Sequence, residues 1–177
     1  MKFSTSSDII ICKIGVVDTT GYTKIIYDTV NIKKLSSSST VNAYSKINLA
    51  SFDESILGND IFIFGYPKTL GLQGSNQYDF NRPILRKGVI AGKYVDNKTI
   101  VIDCPSFGGN SGGPVVEILK KGFDIEAKLI GIVVSFIPLA EIWINPRYNI
   151  KNVELVNSGY SVIEPIEKVD DLIKLVK

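Results

Sequence analysis

The residues that most suggest chemistry lie together at 104–117, CPSFGGNSGGPVVE. One serine, Ser111, stands between two pairs of glycines interrupted by Asn110, and Pro114 follows. Three chemistries use a serine in such a setting. Phosphate binding places glycine amides at a helix N-terminus, usually with a lysine. Here Val115 and Val116 continue as strand and the loop has no lysine, so this chemistry is set aside. A nucleophile elbow also fits the spacing, since residues 109–113 read G-x-S-x-G. An elbow must pass from strand into helix, however, and Gly-Gly-Pro opposes a helix start. The third chemistry is acyl transfer, in which backbone N–H groups meet the charge developing on a carbonyl oxygen. Each such donor contributes about 3 kcal/mol to the barrier. The hole would be formed at Gly109, Asn110 and Ser111, with the N–H groups of Gly109 and Ser111 as donors. Gly109 would take a backbone conformation that side chains resist. A glycine-rich turn with a bystander serine is the bland alternative, but only acyl transfer gives every glycine a use.

The elements around this loop read as strands. Residues 8–14 (DIIICKI) form a short continuous apolar run, and 22–32 hold a second extended pattern. The polar run 36–40 (SSSST) reads as a loop or linker. Strands are expected again at 60–65 (DIFIFG), 84–94, 99–103 (TIVID) and 115–119, with a long loop over 70–81 and a turn at Asp96-Asn97. Residues 123–128 and 129–136 read as two separate strands. One helix is expected at 165–176, where Ile166, Val169, Leu172, Ile173 and Val176 recur at helical spacing behind Pro165. A packed terminal helix is the reading preferred over a partner-binding face. Many short strands with one terminal helix predict an all-β barrel or sandwich.

Composition excludes several function classes. The 177 residues are 45% apolar and 21% charged, with a formal net charge of +2. That balance suits a globular chain and predicts neither nucleic-acid nor membrane partners. Residues 1–8 (MKFSTSSD) lack the apolar core of a signal peptide, which implies a cytoplasmic location if Met1 is the natural start. Cys12 and Cys104 are the only cysteines and there is no histidine. The cysteines read as small core residues, and neither a metal site nor a cofactor is expected.

The segment FGGNSGGPVV resembles the active-site loop of the trypsin-like (chymotrypsin-fold) serine proteases in their bacterial form. Residues 58–67 (GNDIFIFGYP) resemble the strand opening that family's second barrel. Residues 129–136 (LIGIVVSF) resemble the strand lining its primary specificity pocket. The resemblance implies a double β-barrel with a C-terminal helix: residues 1–55 as a remnant of the first barrel and linker, 56–164 as the second barrel, and 165–177 as the helix. It implies Ser111 as nucleophile of a peptide- or protein-cleaving enzyme, and Asp8, directly before an apolar strand, as the triad acid. It also implies Pro105 and Ser106 near the base of the specificity pocket, with Ser135, Phe136 and Ile137 along its wall. No acid stands at these positions, so Lys or Arg preference is not expected, and Ile137 hints at a narrowed, apolar pocket. Asn110 replaces an aspartate found in many animal relatives, so activation by a freed N-terminal ammonium is not expected.

In the family the base is a histidine upstream of the aspartate. Only residues 1–7 precede Asp8 here. The expectation is an N-terminally incomplete protease with an incomplete first barrel, nearly inactive as it stands. The missing segment or another chain would then cover the open barrel. The alternative is a natural pseudoprotease acting as a protein-binding module.

Overall fold

In DIFIFG, alternate side chains point to opposite faces, and the structure uses that alternation directly. Ile61 and Ile63 are fully buried on strand β5 (Asp60–Gly65), while their neighbours are partly exposed. The structure is a computed structural model that describes residues 2–3, 10–11, 15–18, 24–27, 48–66 and 82–174, the first four as strand backbone and Lys121 without its side chain.

Six antiparallel strands close into a barrel. After β5 come β6 (Ile84–Tyr94), β7 (Thr99–Asp103), β8 (Pro114–Lys121), β9 (Asp124–Asn145) and β10 (Ile150–Pro165). Their order around the barrel is β10-β7-β6-β5-β8-β9, and pairing of β10 with β9 closes it. Inward residues from all six strands make one core: Ile63, Ile90, Ile102, Val115, Ile130 and Ile163 are each at most 1% exposed. β-branched side chains dominate because they fit the pleat and retain few rotamers to lose. Ahead of the barrel, β1 (Lys2–Phe3) pairs with β2 (Ile10–Ile11), and β3 (Gly15–Asp18) pairs with β4 (Lys24–Tyr27). β3 was not anticipated.

Helix α1 (Ile166–Lys174) follows β10 directly. It turns Ile166 and Leu172 inward, and Ile166 joins Val116 and Leu129 in a second apolar cluster. Glu167 in its first turn and Lys174 in its last complement the helix dipole. Lys168 ties the helix to the β6–β7 turn, donating to the Asn97 carbonyl at 3.0 Å while also pairing with Glu164.

Two expectations need correcting. The two strands expected at 123–128 and 129–136 are one, which starts at Asp124 and runs on to Asn145. Its partner β10 had no sequence prediction at all. Together they form a long hairpin that leaves the barrel, with 138–145 paired to 150–157. The loop expected at 70–81 and the linker at 36–40 lie outside the described residues.

Candidate functional site

The loop from Cys104 to Gly113 joins β7 to β8 at one end of the barrel. It is built around Asn110, which is 1% exposed. The Asn110 N–H donates to the Phe107 carbonyl at 2.9 Å, and its Oδ1 accepts from the Phe107 N–H at 3.0 Å. These bonds close a four-residue turn with Gly109 at its third position, where φ is +99°. A type II turn demands a positive φ there, which makes glycine the natural occupant. Arg86 braces the approach, donating to the Pro105 carbonyl at 3.2 Å and stacking 4.6 Å from the centre of the Phe107 ring.

Three contacts with other strands hold the far half of the loop. Tyr66 N–H, just past β5, donates to the Gly109 carbonyl at 3.2 Å. Gly112 N–H donates to the Val133 carbonyl on β9 at 2.8 Å, and Val133 N–H returns a bond to the Gly113 carbonyl at 2.9 Å. At Gly113 the chains approach so closely that a Cβ would lie 2.1 Å from the Phe64 carbonyl oxygen. Ser111 is thereby held exposed at the loop's tip, its hydroxyl donating to the Val134 carbonyl at 3.2 Å. It borders an open cavity of about 460 Å³ that is also lined by Phe64, Gly65, Tyr66 and Gly109.

The positions read from sequence fall as follows. Gly109 and Ser111 keep backbone N–H groups with no partner among the described residues, whereas Asn110 commits its N–H to Phe107. Asn110 is therefore the brace of the turn, and its N–H does not join the other two as a donor. Ser106 is buried under the loop, its hydroxyl bonded to Ser161 Oγ at 2.8 Å and its carbonyl held by Asn157 Nδ2. Pro105 is half-buried beside it. Ser135 and Phe136 are exposed on β9, and the Ile137 carbonyl accepts from Ser158 Oγ. Asp8 and Cys12 lie outside the described residues. Cys104 is buried beneath the loop, and burial pushes its thiol pKa up.

Sequence reasoning missed the Val134 carbonyl, the β9 group that meets Ser111. It also missed Asn157 and Ser161, which hold Ser106 from β10. A backbone carbonyl carries no side-chain signature. The polar run 157–161 (NSGYS) within an apolar context was the available signal for the other two.

A glycine turn presenting two N–H groups with no partner among the described residues, beside an exposed serine, has the form an acyl-transfer site needs. A family model described as a trypsin-like peptidase domain matches residues 6–122. The chain belongs to that family. As a trypsin-like peptidase domain, it has a protease-family function and the all-β fold expected of one. The match takes in Asp8, the serine loop and strands β5 to β8, and ends before β9. No curated protein matches the chain. Among the described residues of this peptidase domain, no cluster of His, Cys, Asp and Glu could hold a metal.

Proposed function

We propose that the domain is a serine endopeptidase unit in which Ser111 is the acylated nucleophile. Its Oγ would attack the substrate carbonyl while the Gly109 and Ser111 N–H groups stabilise the oxyanion. The Ser111 hydroxyl proton, carried by solvent or an added base, would pass to the leaving amine as it departs from the tetrahedral intermediate, giving an ester on Ser111 that water then hydrolyses to free the acid and restore the hydroxyl. Asp8 is the proposed triad acid. Pro105, Ser135, Phe136 and Ile137 are proposed to contact a peptide or protein substrate, with Ser106 bracing the loop from beneath. With no acid among them, a Lys or Arg side chain is not the favoured occupant. The observation carrying this reading is the Gly109 turn, which leaves two N–H groups unpartnered among the described residues next to the Ser111 hydroxyl.

The chain contains no histidine. A serine hydroxyl without a base is a weak nucleophile, so turnover by this chain alone is proposed to be very low. That composition also supports a second reading, a pseudoprotease that binds polypeptide without cleaving it.

Supplying the base from solution tests the proposal. The chain is incubated with p-nitrophenyl acetate with and without imidazole, and the acylated residue is mapped by mass spectrometry. Imidazole should raise acylation of Ser111 roughly tenfold or more, towards the range of general-base effects. Ser111→Ala should abolish it. Acylation that ignores Ser111, or that ignores imidazole, would overturn the assignment. Peptide binding that survives Ser111→Ala in a chain that never acylates would establish the binding module instead.

A further inference from the structure

The β9–β10 hairpin continues past the barrel as a ribbon of two strands, 138–145 and 150–157. At about 3.3 Å per residue it extends roughly 26 Å. β8 accompanies β9 only as far as Ile132, and β7 pairs with β10 only at 160–163. Among the described residues, both outer edges of the ribbon are therefore open.

Its surface is apolar on both sides. Cross-strand partners share a face, so Ile142 and Ile144 stand with Val153, Leu155 and Ala140 on one face. Trp143 and Ile150 stand on the other. Ile144 is 68% exposed, Trp143 64%, Tyr148 64% and Ile150 58%. Charge is segregated along the length. The acids Glu141 and Glu154 face each other midway along the ribbon. Between them, residues 142–153 carry two cations, Arg147 and Lys151, and no acid.

We propose that the ribbon tip inserts into the interfacial layer of an anionic lipid surface. Three observations favour lipid over another protein. A flat partner covers one face and leaves the other wet, whereas a lipid layer takes up both faces at once. One face, about 26 Å by 10 Å, is well short of the roughly 800 Å² per partner that a standard protein interface buries. The tip's cations match anionic headgroups, and exposed Trp and Tyr suit the boundary between water and hydrocarbon. The turn itself is closed internally, with Tyr148 N–H donating to the Asn145 carbonyl at 3.3 Å and Arg147 N–H to Asn145 Oδ1 at 3.2 Å. The open strand edges and the Glu141–Glu154 pair limit the depth, because unpaired backbone and charge do not enter hydrocarbon. The tip therefore rests at the headgroup level without spanning. This contact is local, so the whole-chain charge balance, which predicted no membrane partner, does not register it.

Trp143 is the chain's only tryptophan and reports the event directly. The full chain is mixed with phosphatidylcholine vesicles containing roughly a third phosphatidylserine, and with vesicles of phosphatidylcholine alone. On the anionic vesicles, Trp143 emission should shift to the blue, lipids brominated on the acyl chain should quench it, and the chain should co-sediment. Neutralising both cations (Arg147→Gln with Lys151→Gln) should weaken binding roughly thirtyfold, at about fivefold for each basic side chain near the surface. Ile144→Asp should also release the chain. All three side chains lie in the exposed ribbon, and circular dichroism of the variants checks that the barrel is intact. Unchanged emission and no sedimentation would overturn the proposal. So would a lipid-independent blue shift that tracks dimer formation in analytical ultracentrifugation, since that would assign the ribbon to a second copy.

Discussion

Glu117 offers the sharpest test of how the barrel holds the segment leading into it. It sits on β8, fully buried. Its Oε1 accepts from the Ile56 N–H at 3.0 Å and from Asn59 Nδ2 at 2.7 Å, while Oε2 is buried with no hydrogen-bond partner among the described residues. Hydrogen bonds to a charged group contribute about 1.5–3 kcal/mol each, and a buried orphan polar atom costs about 1–3 kcal/mol. Removing the side chain in Glu117→Ala leaves two neutral donors without an acceptor and should cost about 2–6 kcal/mol, at about 1–3 kcal/mol for each. If Glu117 bonds as a carboxylate, Glu117→Gln keeps the Oε1 acceptor but exchanges charge-assisted bonds for neutral ones, and should cost about 2 kcal/mol. The deciding measurement is a double-mutant cycle with Asn59→Ala, read by urea unfolding with linear extrapolation. Asn59→Ala should cost about 1.5–3 kcal/mol in the parent and about 1 kcal/mol beside Glu117→Gln. The difference, about 1 kcal/mol, exceeds the roughly 0.5 kcal/mol tolerance expected for independent sites. Additivity within that tolerance would refute the reasoning, because it would mean the 2.7 Å bond carries no charge-assisted strength.

Two further outcomes follow from local geometry. Gly113→Ala drives a Cβ against two backbone oxygens, those of Phe64 and Asn110. It should cost about 1–3 kcal/mol, lowering the melting temperature by roughly 2–4 °C per kcal/mol; Gly108→Ala, with open space around it, should change little. Ser51 and Glu54 brace a turn: the Ser51 N–H and hydroxyl donate to Glu54 Oε2 at 2.6 and 2.8 Å. Those bonds hold the Glu54 carboxyl below its usual pKa. The stabilisation is thus complete above the ordinary glutamate range and is lost as pH falls through the lowered value. An NMR titration should find the Glu54 midpoint below that of an exposed glutamate and restore it in Ser51→Ala.

Most of the barrel was legible because its strands pay for themselves by burial. DIFIFG and TIVID alternate inward isoleucines with polar or outward residues, and both appear as strands with the expected limits. The terminal helix announced itself through its apolar spacing, of which Ile166 and Leu172 proved the buried members. The outer ribbon was not legible. Its apolar residues lie on both faces and none is sealed in the core, so no inward stripe marks it as strand, and Pro138 interrupts the run. Ser111 was readable from the glycines around it, but the role of Asn110 was not. An amide before the serine is visible in sequence, whereas its bonds to Phe107 exist only once the turn has formed. Glu117 gave no warning either, since a charged residue in VVEILKK reads as the solvent side of a strand.

The placement of the serine loop has a consequence for the order in which the chain acquires structure. Its turn is local, closed between Phe107 and Asn110, and such turns form early. The contacts that aim it are remote: Tyr66 reaches Gly109 from one side of the barrel, and Val133 binds Gly112 and Gly113 from the other. Strands distant in sequence must therefore meet before Ser111 is positioned. A nascent or partly folded chain carries the serine motif without a working arrangement of it. On the proposed acyl-transfer role, acylation of Ser111 would report barrel closure, because it requires those long-range pairings.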